Sequence, residues 1–413
     1  MHLTSIPRHR IETSLSDYIR ILTGLLEPRE RADVFAKFER EFAEYVGCKH
    51  AIAVSSGRLG LHLILSHFDF EPGDEAIIPA FNLFAVIEQF RQRGLVPRFC
   101  DVSKEDLNID IADVERRITP KTKVILATHM YGHPVDMNPL LDLAGRHNLV
   151  VLEDCAHALG SQYESKFVGT FGRAAIFSFS VLKLVTTFGG GMIATDDDEL
   201  ARRIRRDLST IHALRPKPAG LKRALMGTIM DLGTRPLVFS FAAWPVLRAM
   251  RWLKPDIQKK IMTETPHSVT GFTPQRVARM HPFQAMLGRR QLAKAERLIA
   301  RRKEVVPWLD EELAGIESIE LLRHDHLGRS NGLYYGILAK RAAELSSYLF
   351  CRGIDTETSE YSNCADLDIY SDCAVDCPVA CDVQARILRL PNYPHLSRAD
   401  VSRIGQAIRR FYR

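Results

Sequence analysis

Between residues 51 and 195 the chain alternates short apolar runs, rich in β-branched side chains, with segments of helical apolar spacing. That alternation narrows the fold more than any other feature. Runs at 51–54, 75–79, 97–101, 123–128 and 149–154 read as strands, and 59–66 and 84–93 read as helices. Residues 145–148 close a further helix, with Arg146 and His147 suited to its negative end. Strands separated by helices pair in parallel, so the expected class is an α/β layer structure around a mainly parallel sheet. Runs at 174–180 and 191–195 read as a close strand pair around a turn.

The rest of the chain bounds that picture. At 413 residues it is long enough for two lobes, and 46% apolar and 26% charged residues are ordinary for a globular protein. No run approaches the roughly 20 apolar residues of a spanning helix. The start, Met1 to Pro7, carries no apolar run behind basic residues, so a cytoplasmic protein without a secretory signal is expected. No nucleic-acid partner is expected. Four of the eight cysteines, Cys364, Cys373, Cys377 and Cys381, fall close together. Pro378 interrupts a helical reading of them, and no CxxC pair or histidine joins them, which favours reduced thiols over a metal site.

Charge is uneven. From Arg202 to Lys260 there are 14 Lys/Arg against three acids, which suggests an anionic partner for that stretch. Overlapping it, residues 215–266 break the strand–helix rhythm with six prolines and two tryptophans, Trp244 and Trp252. Residues 236–247 hold no charge and are bracketed by Arg235 and Arg248. Twelve residues cannot span a bilayer, but they could lie in its interface with Trp and Arg at headgroup level. A buried helical hairpin or dimer contact is the other open reading. One long helix is expected over 277–302, then a smaller α+β lobe, giving a division into 1–214, 215–266 and 267–413.

Chemistry enters with Lys183, 29 residues after Asp154. The aspartate ends an apolar strand, and the lysine sits between the apolar run ending in Phe179 and the glycines 189–191, where a solvated lysine has no obvious reason to be. An amine and a carboxylate in this order suit pyridoxal phosphate: the lysine would hold the aldehyde as a Schiff base, and the aspartate would keep the ring nitrogen protonated. Ser55-Ser56-Gly57-Arg58, between a strand and a helix, supplies the small residues and amides a phosphate needs. Arg58 could add a charge-assisted bond and Ser178 a hydroxyl. His157, three residues after Asp154, could touch the ring.

Longer motifs then fall in order. They are Phe38 to Gly47 before Ser55-Ser56-Gly57, Phe99-Cys100-Asp101-Val102, Tyr131-Gly132-His133-Pro134, Glu153 to Gly160, Gly169-Thr170-Phe171-Gly172, Lys183 to Thr187, Arg279-Met280, Phe283-Gln284-Ala285 and Leu390 to Ser397. With them the chain resembles the DegT/StrS family of pyridoxal phosphate-dependent sugar aminotransferases. The resemblance implies an aspartate-aminotransferase-like, fold type I large domain with a smaller C-terminal domain. It implies a homodimer with active sites at the interface, keto-sugar substrates and glutamate as amino donor, serving polysaccharide or glycolipid synthesis. It casts Lys183 as Schiff-base lysine and proton shuttle, Asp154 as partner of the ring nitrogen and His157 beside the ring. Ser56, Gly57, Arg58 and Ser178 would hold the phosphate.

Several positions depart from the family pattern. Arg58 stands where threonine is common, and Leu83 where an aromatic covers the ring. Gly189 replaces an acid, Val277 replaces an asparagine that reaches the partner's phosphate, and 215–266 has no recognised counterpart. These departures motivate a rival, a non-catalytic membrane-associated scaffold. A sugar dehydratase of the same family would carry histidine in place of Lys183.

Overall fold

A computed structural model describes residues 4–26, 32–211, 218–253, 280–325, 327–358 and 360–413. Seven strands build the main sheet: β1 (His50–Val54), β2 (Glu75–Pro79), β3 (Val96–Cys100), β4 (Thr122–Thr128), β5 (Val150–Asp154), β6 (Ala174–Ser178) and β7 (Gly191–Thr195). Their order is β1-β7-β6-β5-β4-β2-β3. Strands β2 to β6 pair in parallel, and β7 is antiparallel to both β6 and β1. The strands lie where the apolar runs put them. They are buried almost end to end because helices cover both faces.

Period-two alternation sorts each strand between two cores. Ile52, Val54, Leu126, Leu152 and Ile193 pack with the helices Gly57–Leu65 and Phe84–Arg91. Ala51, Ala53, Ile125, Val151 and Met192 pack with the helices Ala32–Val46 and Met137–Arg146. A second, antiparallel sheet orders Ile319–Leu321, Tyr335–Ala339, Ile387–Leu390 and Glu357–Thr358 around its own core, which takes in Val305, Leu309, Ile404 and, from the N-terminal segment, Ile6.

The expected helix over 277–302 is in fact two helices, Pro282–Leu292 and Ala295–Leu313. His281 and Gln284 form a reciprocal capping box and Pro282 sits in the first turn, so the local sequence fixes the start of the first helix. That helix packs Ala285 into the main-sheet core; the second starts there too, with Ala295, Leu298 and Ile299, and then carries Val305 and Leu309 into the core of the smaller sheet.

Residues 218–253 form the helix Pro218–Thr234, a turn at Pro236–Val238, a π-helical stretch at Phe239–Ala243 and the helix Trp244–Leu253. Trp244 is buried against Phe350, with ring centroids 4.2 Å apart, and Phe239 packs beside it. Trp244 therefore faces the protein, which corrects its placement at a lipid headgroup. No described helix is long and apolar enough to cross a membrane. The eight cysteines carry no disulfide; Pro378 opens the helix Pro378–Arg386 rather than interrupting one, with Cys377 at its cap.

Candidate active site

The parallel strands end along one edge of the main sheet, which is where open α/β sheets place their sites. Ser55 and Ser56 follow β1, His129 follows β4, Asp154 closes β5 and Ser178 closes β6. They meet around a cavity of about 430 Å³. All seven residues selected from the sequence line it: Lys183, Asp154, His157, Ser178, Ser56, Gly57 and Arg58.

Lys183 lies in the loop between β6 and β7, its Nζ 5.9 Å above the Tyr334 ring. Burial pulls its pKa down to about 8, against the opposing pull of Glu360 and Asp154. Asp154 is 5% exposed, and its Oδ1 accepts the Ala156 N–H at 2.9 Å. Burial raises its pKa, with Lys183 acting in the other direction, and no Lys or Arg forms an ion pair with it among the described residues.

His157 is held from three sides. Its Nδ1 accepts the Tyr131 N–H at 3.3 Å, so the ring proton belongs on Nε2, which donates to Tyr361 Oη at 2.7 Å. Asn331 donates to its carbonyl at 2.7 Å. Burial, then Lys183 and Arg389, hold its pKa well below the usual value, so the ring is neutral. Tyr131 reaches this position through a left-handed backbone, φ 56°.

Ser56 caps the helix Gly57–Leu65, its hydroxyl accepting the Leu59 N–H at 3.2 Å, and this brings the helix's positive end to the cavity. The approach is close: a Cβ on Gly191 would come within 2.6 Å of the Gly57 nitrogen. Gly189 (φ 115°) and Gly190 (φ 126°) shape the opposite wall in conformations that favour glycine. Of the departures, Leu83 lines the cavity while Phe81 and Phe84 are packed in the core. Val277 lies outside the described residues.

Sequence reasoning missed Asn82, Thr128, His129, Arg223, Glu360 and Tyr361, which also line the cavity. Glu360 and Tyr361 come from far along the chain, and no local pattern marks them. Glu153 has a structural part that the sequence did not reveal. It is fully buried and accepts hydrogen bonds from His129 (3.1 Å) and from the amides of Gly169, Phe171 and Gly172 (2.6, 2.8 and 2.7 Å). Burial pushes its pKa up, but His129 and these amides outweigh burial and hold it below the usual value. The Gly169–Gly172 motif is thus the anchor of a loop. Cys155 lies beside Glu153 and His129, and burial keeps its thiol protonated.

These residues fit pyridoxal phosphate. A buried carboxylate with no Lys or Arg in ion-pair contact among the described residues suits a protonated ring nitrogen, a lysine of lowered pKa suits an aldehyde, and a serine-capped helix start suits a phosphate. A strand-edge cavity holding these three parts defines a fold type I pyridoxal phosphate enzyme. The chain matches the family described as DegT/DnrJ/EryC1/StrS aminotransferase over residues 30–228 and 251–409. It belongs to that family of pyridoxal phosphate-dependent sugar aminotransferases. Only 229–250 fall between the matched segments, a shorter stretch than the 215–266 expected to lack a counterpart.

Two relatives share nearly the full length. A protein called GDP-perosamine synthase from Caulobacter vibrioides is 31% identical over 420 residues, covering 98% of this chain and 97% of that protein. A protein of the same name from Escherichia coli O157:H7 is 30% identical over 385 residues, covering 92% and 91%. Among solved structures, S. venezuelae DesV in complex with a ketimine intermediate superimposes with a TM-score of 0.71 at 28% identity, covering 96% of this chain and 93% of that one.

Proposed function

We propose that this enzyme moves an amino group from glutamate to a keto-sugar, with Lys183 as the catalytic residue. The observation that carries the reading is the lysine itself, whose pKa is lowered to about 8 in a cavity shared with the buried Asp154. Bound pyridoxal phosphate would supply an electrophilic carbonyl and an electron-withdrawing ring. Asp154 would hold the ring nitrogen protonated. Neutral His157, fixed by Tyr131, Tyr361 and Asn331, would set the ring's position, and Ser56, Gly57, Arg58 and Ser178 would hold the phosphate. Lys183 Nζ, neutral in an appreciable fraction near pH 8, would take a proton from the donor's α-carbon side and return it on the cofactor side. The retained Lys183–Asp154 pair speaks against the scaffold reading, and the lysine against a dehydratase.

The relatives called GDP-perosamine synthase favour a GDP-linked sugar over a lipid-linked one. The test is the near-visible absorbance of the loaded protein before and after glutamate. Conversion of the bound cofactor to its amine form is expected; a band untouched by glutamate would remove glutamate as the donor.

We further propose a homodimer with the cavity near its interface. Support comes from Leu15, Ile19, Leu22 and Leu26, an exposed apolar row on the helix Leu15–Leu26, and from Leu225, Met226 and Ile229, exposed on the neighbouring helix Pro218–Thr234. A second reading, contact with an anionic membrane surface, rests on the same stretch. Exposed Leu237 and Phe241 lie between Arg235 and Arg248, and Asp231, the one acid within 218–253, is buried and bonded to Tyr18 and Thr13. The division into a cofactor-holding lobe (1–214), a helical insert (215–266) and a smaller lobe (267–413) remains part of this proposal. The separate core around Val305 and Ile404 supports it.

A further inference from the structure

Arg223 stands apart from the other charged residues around the cavity. Lys183, which also lines it, is countered by Glu360 and Asp154. Arg223 has no carboxylate beside it among the described residues. Among the described residues it makes one hydrogen bond, a long one, from Nη1 to the Ser55 carbonyl at 3.5 Å. It is half-buried, and burial alone shifts its pKa, downward. Water would ordinarily solvate a guanidinium left without a partner.

Its position is built by the helix that carries it. Pro218–Thr234 comes against His281 and the loop that carries Lys183 through two glycines on the same side as Arg223. A Cβ on Gly220 would lie 2.5 Å from the His281 ring, and one on Gly227 would lie 2.1 Å from the Phe188 ring. Both glycines have ordinary helical backbone, so close approach, not φ, is what they provide. The helix therefore sits as near the lysine loop as a backbone can, and Arg223 reaches the end of the cavity formed by Ser55, Ser56, Gly57 and Gly190. Gly189 completes the arrangement: a Cβ there would be 3.2 Å from Arg223 Nη1, and glycine offers no side chain to counter the charge.

We propose that Arg223 is a phosphate-binding residue of the cofactor site, supplied by the helix Pro218–Thr234 and opposite the capped helix start at Ser56–Arg58. This rests on the reading that pyridoxal phosphate occupies the cavity. A guanidinium matches a phosphate dianion in charge and in its paired donors, and here it is held without a competing acid.

The test compares two ligands that differ in the phosphate alone. Cofactor-free wild type, Arg223→Gln and Arg223→Lys are titrated with pyridoxal phosphate and, separately, with pyridoxal, following the change in ligand absorbance on binding. Arg223→Gln is expected to weaken pyridoxal phosphate by about 10- to 100-fold, the worth of a charge-assisted contact, and to change pyridoxal by less than about twofold. Arg223→Lys is expected to recover part of the loss. Equal weakening of both ligands would overturn the inference, because Arg223 would then act on the shape of the cavity. Unchanged affinity for pyridoxal phosphate would overturn it too, while leaving the proposed function intact. A wild type that binds neither ligand would bring down that function, and this inference with it.

Discussion

The lysine cavity and the helical stretch at 218–253 both break the rule that charge stays outside and apolar surface inside, in opposite directions. The cavity buries Asp154 and His157, each held by a specific hydrogen bond, and half-buries Lys183 beside them. The helical stretch turns Leu221, Leu225, Met226, Ile229, Leu237, Phe241 and Val246 toward solvent. A buried charge tolerated at such cost marks chemistry. An apolar row left in water marks a surface awaiting a partner. The helix Pro218–Thr234 belongs to both regions, with Arg223 on its inner side and Leu225 and Ile229 on its outer side, so what covers its outside bears on the site inside.

The sharpest way to break the comparison is to remove the cavity's chemistry. Lys183→Ala is expected to lower glutamate-dependent conversion of the bound cofactor by at least about 10⁴-fold, since one amine serves as both nucleophile and proton carrier. Single-turnover absorbance measures it. A variant within tenfold of wild type would move the catalytic assignment elsewhere.

Next in size is the loop anchor behind the cavity. Glu153→Ala strands three backbone amides and His129 in a dry interior, and about 3–5 kcal/mol of folding stability should be lost. Denaturant midpoints read this directly. A loss below about 1 kcal/mol would mean that water or a shifted loop satisfies those donors.

A smaller and graded effect comes from pH. Only the neutral amine of Lys183 can capture an aldehyde, and burial lowers its pKa from the ordinary value to about 8. Capture of pyridoxal phosphate by the cofactor-free protein should therefore rise about tenfold per pH unit below 8 and level off above it. A rise continuing toward pH 10 would show that the lysine titrates as if in water. Glu360 favours the charged amine, so Glu360→Gln should move the midpoint to lower pH.

How much of this was legible in the sequence follows the same divide. The strands, the Ser56 cap, Asp154 and Lys183 were readable because each lies at the end of an apolar run, and the ends of parallel strands converge by construction. Glu360, Tyr361 and Arg223 were not, because their places depend on how distant segments dock. Arg223 in particular reads as one more cation in a basic stretch until the contacts of Gly220 and Gly227 show how close its helix lies. The expected single helix over 277–302 failed because its apolar spacing runs on past the break at Ala293 and Lys294, and Leu292 and Ala295 on either side of it are buried in the same core.

The smallest expected effect on folding tests the outer face. Leu225 is 57% and Phe241 67% exposed, so Leu225→Ser and Phe241→Ser should change folding stability by no more than about 0.5 kcal/mol. Deleting 236–247 is a poorer probe, because it would also remove Phe239 and Trp244 from their packing on Phe350. The consequences should appear in association. If a second copy covers this face, each substitution removes apolar burial from the contact and should weaken the dimer by roughly tenfold, seen as a lower sedimentation coefficient at low micromolar protein. If an anionic lipid surface covers it, the dimer should be unchanged. Co-sedimentation with phosphatidylserine-containing vesicles should then fall in both variants, and in wild type at raised salt. Unchanged behaviour in both assays would leave the exposed row without a partner, and the opposition between the two regions would then reduce to the cavity alone.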